Sequence, residues 1–237
     1  MNKHIRLLCL AIVPIATFII FFTKPVMVQD QSYHHFVDQR SFFGIPNTMD
    51  VVSNIFFVVV GLLGILVQKN RSWFVFFISI LLVAPGSAYY HWAPDDFTLI
   101  WDRLPMSVGF MALYVVMLSE HISERLEGTL PWAVLLGLAS VGVWVFTTDL
   151  RLYFWIQFSS FLTIPMILLL YPSRYTHRKF YAFTLGAYIL AKIVEVKDGQ
   201  VFELTNHLIS GHSLKHILAA VGIGFLWWML KVRTANR

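Results

Sequence analysis

Some eight apolar runs, separated by turns too short to hold a folded domain, constrain this 237-residue chain more than any other feature. They cover roughly residues 7–22, 51–67, 73–90, 104–118, 132–146, 152–171, 180–196 and 209–230. A bilayer core about 30 Å thick is crossed by about 20 helical residues, and a backbone inside it must pair its polar groups within the segment. The runs therefore predict an all-α fold, a polytopic transmembrane helix bundle. The balance of residues agrees, since 57% are hydrophobic and only 13% charged, about half the charge of an ordinary soluble domain.

Lys3 and Arg6 precede the first run, and no small-x-small cleavage site follows it before Lys24 to Val28. That pattern predicts a retained signal anchor over 1–23, an outer loop over 24–50, a seven-helix core over 51–232 and a short basic tail at 233–237. The net charge of +5 is carried by basic residues that stand singly between apolar runs, which excludes a nucleic-acid patch and makes them topology signals. Lys3, Arg6, Lys69, Arg71, Arg125, Arg174, Arg178, Lys179, Lys231, Arg233 and Arg237 gather at one set of ends, whereas Lys24, Arg40, Arg103, Arg151 and Lys197 gather at the other. Both termini are expected in the cytoplasm. Short loops and an uncleaved anchor favour a bacterial inner membrane, and an endoplasmic reticulum or Golgi membrane gives the same charge pattern. The one cysteine, Cys9, lies inside the first run, so neither a disulfide framework nor a thiolate metal site is expected. No internal repeat supports a transporter built from inverted halves.

The topology brings chemistry-bearing residues from distant parts of the sequence to one depth. His212 and His216 are four apart at the start of the last run and so share a helix face. His91 ends the third run with Ser87 one turn before it, and Asp102 opens the fourth. All of these fall at the non-cytoplasmic ends of their spans. Three neutral imidazoles with water in the fourth position form the usual open, catalytic arrangement for zinc, whereas structural sites close with four protein ligands. Asp102 is either a helix cap or a proton carrier for a metal-activated water. Ser87 is either bonded back to its own helix or a donor to a developing oxyanion.

Ser87-x3-His91, Asp102 eleven residues on and His212-x3-His216 resemble the pattern of the alkaline ceramidase family. That family belongs to the CREST membrane hydrolase superfamily, which includes the progestin and adipoQ receptors. Gly44-Ile45-Pro46-Asn47, Asp50-Val51-Val52-Ser53-Asn54, Trp101-Asp102-Arg103-Leu104-Pro105-Met106 and Gly211-His212-Ser213-Leu214-Lys215-His216 are similar to words of its bacterial-type branch. The resemblance covers Asp38 to the end. It implies seven core spans, an additional N-terminal one, zinc on His91, His212 and His216, Asp102 as acid/base and Ser87 as transition-state or water-orienting donor. The implied reaction is cleavage of the amide of ceramide, or of a related N-acyl membrane lipid, to sphingoid base and fatty acid.

Two departures from that family pattern matter. Where animal members carry an acidic calcium site, this chain has Asp38-Gln39-Arg40-Ser41 through Asp50, and Arg40 with fewer acids argues against calcium, which takes about six to eight oxygen ligands. Asp38 and Asp50 read more simply as loop and cap residues. Lys215 lies between the histidines, where a cation weakens metal binding unless its side chain turns away and snorkels to the interface. Among other intramembrane polar residues, Lys192 and Glu195 are three apart and expected to pair. Gln157, Ser159, Ser160 and Thr163 are expected to bond between helices or line a cavity. His34 and His35 are expected in solvent, and Trp92, Trp101, Trp227 and Trp228 in interfacial belts.

A zinc-dependent amidohydrolase acting on a ceramide-like lipid is thus the leading expectation. A zinc-containing receptor or sensor of the same superfamily and a lipid-remodelling esterase are the alternatives.

Overall fold

The computed structural model describes residues 2–236. Among them the chain forms ten α-helices, two short 3-10 turns and no β-strand. The long helices are α1 (Lys3–Phe22), α4 (Arg71–Trp92), α5 (Asp96–His121), α6 (Leu130–Thr147), α7 (Arg151–Leu170), α8 (Lys179–Val196) and α10 (Gly211–Val232), and α2 (Thr48–Val52) with α3 (Ile55–Val67) makes one further span. The short α9 (Asp198–Leu204) joins α8 to α10. Seven of these segments are long and apolar enough to cross a membrane. The exception, α8, is as long as α6 but carries Lys179, Lys192 and Glu195.

Side chains cap the starts of α1, α4, α5 and α10. Asn70 accepts from the Trp73 N–H at 2.9 Å and caps α4. At α5, Asp95 accepts from Thr98 N at 2.6 Å while the Thr98 hydroxyl bonds back to Asp95 N at 3.1 Å, a reciprocal capping box. That box begins the helix at Asp96, two turns before the apolar run at 104. Asp102 therefore lies inside the helix, and the expectation that it caps one is corrected. The Thr98 backbone also holds the Asp95 carboxyl below its ordinary range, as a capping carboxylate should be.

The helices pack as a bundle in which α4 lies between α3 and α5, α10 between α3 and α8, and α5 against α6 and α7. The main core joins Trp73, Phe77 and Val83 of α4 to Val116 of α5 and Leu226 and Met229 of α10. α1 packs chiefly on α7, where the Trp155 indole donates to the Pro14 carbonyl at 2.9 Å, and its other faces expose Leu8, Ile12 and Ile19. Such a surface fits lipid, as expected for an added N-terminal span.

A smaller core sits at the end of the bundle where α4 finishes and α10 begins, and it joins Phe36 of the outer loop to Tyr90, Leu99, Trp144 and Tyr153. The loop is tied down there. Asn47 Nδ2 donates to the His91 carbonyl at 2.9 Å, Arg40 Nη2 to the Leu208 carbonyl at 3.1 Å, and Leu150 N to the Met27 carbonyl at 2.8 Å. His34, expected in solvent, is largely buried and bonds Tyr90 Oη at 3.0 Å and Asp96 at 3.1 Å. At the opposite end Arg233 is not a free tail residue, since its guanidinium forks onto buried Glu120 at 2.6 and 2.7 Å.

Candidate metal centre

His91 occupies the last turn of α4, and His212 and His216 the first turns of α10. Two glycines bring these turns into place. A Cβ at Gly86 would lie 2.1 Å from the Trp101 carbonyl oxygen, so only glycine lets α4 press its final turns against α5. At Gly211 a Cβ would lie 2.0 Å from the Val194 carbonyl oxygen, so the start of α10 sits directly on the end of α8. The first turn of α10 is then fastened by side chains. Ser210 accepts from Ser213 N at 2.9 Å, both serine hydroxyls donate to Asp50, at 3.2 and 2.5 Å, and His212 N donates to Asp198 at 2.8 Å. Asp50 is fully buried within α2, which corrects its expected role as a cap.

The result is a cluster of three buried imidazoles whose ring centroids are 4.7, 5.0 and 5.1 Å apart. One nitrogen from each lies within 4.8 Å of the others, so the three can hold a metal ion together. His91 Nε2 and His212 Nε2 are 3.3 Å apart. Two nitrogens each about 2.0–2.1 Å from one tetrahedral ion stand about 3.3–3.4 Å apart, so the spacing fits a shared ion. His216 is oriented from behind by Ser53, whose Oγ is 2.8 Å from Nδ1. Ser53 Oγ also lies 3.1 Å from the Asp50 carbonyl, a partner for its hydroxyl proton; with the proton there, Oγ accepts from Nδ1–H and Nε2 keeps its lone pair for a ligand. Phe36 covers the cluster from the loop side, its ring 4.7 Å from His91 and 4.8 Å from His212.

Ser87, Asp102 and His216 line one cavity. Ser87 is 2% exposed and Asp102 9%, and Asp102 Oδ1 is buried without a hydrogen-bond partner. All five residues selected from sequence therefore gather at one end of the bundle, three as a ligand cluster and two beside it. The cavity, about 630 Å³, is within the usual range for ligand sites and has mostly apolar walls. It runs from Ser87 and His216 past Phe76, Ile80 and Leu113 to Tyr181 and Leu226, deep between the helices. α7 and α8 face each other across it without packing along their length, and Phe161 meets Tyr188 there at 5.6 Å between ring centroids.

Lys215 does not turn away from the histidines. Its Nζ is 2.8 Å from His212 Nε2 and 3.0 Å from Glu195 Oε1, so its snorkelling is corrected to an ion pair inside the site. Glu195 also pairs with Lys192, as the spacing of those two predicts. Arg40 forks onto Asp38 through Nε at 2.8 Å and Nη2 at 2.6 Å, which ties up both oxygens of that acid. Sequence reasoning gives no role at the site to Ser53 or Phe36, and none to Asp50 beyond that of a cap. The local signal for the first and third is Asp50, Ser53 and Asn54, three polar residues at the head of an apolar run. Phe36 carried no signal distinguishing it from other loop aromatics.

Comparison with family models, with curated proteins and with solved structures finds no match to this chain.

Proposed function

We propose that this chain is a zinc-dependent intramembrane hydrolase that cleaves the amide of an N-acyl lipid, with ceramide the closest substrate chemistry. One observation carries the proposal: a cluster of three buried imidazoles opens, through His216, on an apolar cavity that is also lined by Ser87 and by Asp102, one of whose oxygens has no partner. The donor set favours zinc, because neutral imidazoles suit a borderline-soft ion and no thiolate or carboxylate belongs to the cluster. Zinc bound by His91, His212 and His216 supplies Lewis acidity that activates water and polarises a carbonyl.

The remaining work falls to the chain itself. The cavity holds an acyl chain and sets its amide beside Ser87 and Asp102. Asp102 Oδ1 takes a proton from the attacking water and returns it to the departing amine nitrogen, as one acid/base can serve both steps. The Ser87 hydroxyl donates to the carbonyl oxygen as it gains charge. Phe36 and the tied outer loop keep bulk water away, which favours entry of substrate from the bilayer side. Basic residues concentrate at the opposite end of the bundle, so the reaction takes place on the non-cytoplasmic face, in keeping with a bacterial inner membrane.

The test is metal content together with fatty-acid release from N-acyl sphingoid lipids, measured on wild type and His216→Ala in detergent. About one zinc per chain and amide cleavage, both lost in the variant, is the expected result. Zinc with no cleavage of any amide would replace the proposal with a receptor or an esterase, the latter separated by release from ester lipids. Absence of tightly bound metal would end it.

A further inference from the structure

Arg103 is the buried cation that the proposed chemistry leaves unused. It follows Asp102 on α5, lines the outer mouth of the cavity and is only 6% exposed. Arg40, Arg151, Arg174 and Arg233 each pair with a carboxylate, whereas no ion pair to Arg103 occurs among the described residues. Adjacent residues on a helix do not face one another, so Asp102 is not its counter-ion by default. Its Nη2 donates to the neutral Gln29 Oε1 at 2.5 Å, and its Nη1 is buried with no partner. The guanidinium carbon lies 4.3 Å from the centre of a Trp144 ring and 4.9 Å from that of Tyr153, which fixes the fork in place. Aromatic faces offset part of the burial cost of a cation but satisfy no N–H in the guanidinium plane. A guanidinium held rigid with an unused donor matches an anion with several acceptor oxygens. Asp30, which lines the cavity along with Asp102, is turned to its own chain, accepting from Ser32 N at 2.9 Å.

We propose that the outer mouth of the cavity binds an anionic lipid headgroup, a phosphate, sulfonate or carboxylate, through Arg103, while the acyl chain lies in the apolar part below. This rests on the lipid-hydrolase proposal for the substrate's location and narrows its ceramide-like substrate to an N-acyl lipid whose head carries an acidic group. Gln29 is the neutral group that holds one arm of the fork until the headgroup arrives.

Binding, not turnover, tests it. Full-length protein in detergent is titrated with N-acyl sphingoid lipids of one acyl length bearing a hydroxyl, phosphocholine or phosphate head, and with inorganic phosphate alone. Wild type is expected to bind the phosphate lipid roughly tenfold or more tightly than the hydroxyl lipid, as a charge-assisted contact implies. Arg103→Gln should erase that preference while leaving the hydroxyl lipid bound, and Arg103→Lys should restore part of it. Equal binding of the two lipids by wild type, or a preference that survives Arg103→Gln, overturns the proposal. Tight inorganic phosphate with no lipid preference also overturns it, by assigning Arg103 to a free anion. If Arg103→Gln does not fold, Gln29→Ala decides: a stronger preference for the phosphate lipid supports the site, and an unchanged or weaker one refutes it. Zinc does not enter these measurements, so failure of the hydrolase and failure of the headgroup site remain distinguishable.

Discussion

At the end of the bundle away from the histidines, Glu120 is buried and saturated. It accepts from Trp73 Nε1 at 2.7 Å, from both arms of Arg233 and from Tyr181 Oη at 3.3 Å, gathering α4, α5, α8 and the residue after α10. At the histidine end, Asp102 Oδ1, Arg103 Nη1 and His91 Nδ1 are buried with no partner. The first cluster has used its hydrogen-bonding capacity on itself and holds helices together. The second has left capacity unused, at the cost of stability that an unsatisfied buried group carries, as the proposed site requires. The saturation belongs to the Glu120 cluster and not to its whole end of the bundle, since both ring nitrogens of the neighbouring His121, Ser72 Oγ, Glu127 Oε2 and Tyr171 Oη are buried there without a partner.

The comparison breaks most readily at Glu120. Glu120→Ala leaves the Arg233 guanidinium, whose side chain is 4% exposed, without its carboxylate. Removing one partner of a buried pair costs about 3–5 kcal/mol, so a large loss of thermal stability in detergent is expected. Metal content per folded chain should be unchanged, since the histidines sit at the other end. A drop in zinc stoichiometry as large as the drop in stability would show that the two ends are not independent.

Much of this contrast was legible in the sequence, and the part that was not has a common cause. The spans could be read because bilayer crossing imposes length and apolarity on each segment separately. The histidine cluster could be read because helix spacing and alternating topology together fix which residues share a face and a depth. The start of α5 was misplaced because Asp95 and Thr98 cap it two turns before its apolar run begins. Partners that meet only after folding left no local trace: Glu120 and Arg233 are separated by 113 residues, and Ser53 and His216 by 163. Lys215 was noticed, but its direction depended on Glu195 of the neighbouring helix, which a single helical pattern does not reveal.

Ser53 sharpens the comparison from the open end. Its substitution by alanine leaves His216 Nδ1 without the acceptor that holds the ring and its tautomer. Outer hydrogen bonds of this kind are worth about 10–100-fold in metal affinity. Competition with a chelator should therefore show zinc held that much more weakly by Ser53→Ala, with little change in unfolding temperature. Equal affinity would mean that Ser53 only packs α2 against α10.

The smallest effect concerns Lys215, and its sign is informative. Lys215 Nζ bonds the same nitrogen of His212 that lies at metal-sharing distance from His91. One lone pair cannot serve an ammonium and an ion at once, so metal binding must break that contact and push the ammonium towards Glu195, its other partner at 3.0 Å. The lost hydrogen bond is worth about 0.5–1.5 kcal/mol, and like-charge repulsion adds to it. Lys215→Gln should accordingly tighten zinc by about two- to tenfold in the same chelator competition. Weaker binding in this variant would give Lys215 the opposite role, an ion pair with Glu195 that holds α8 and α10 at the separation the histidines need.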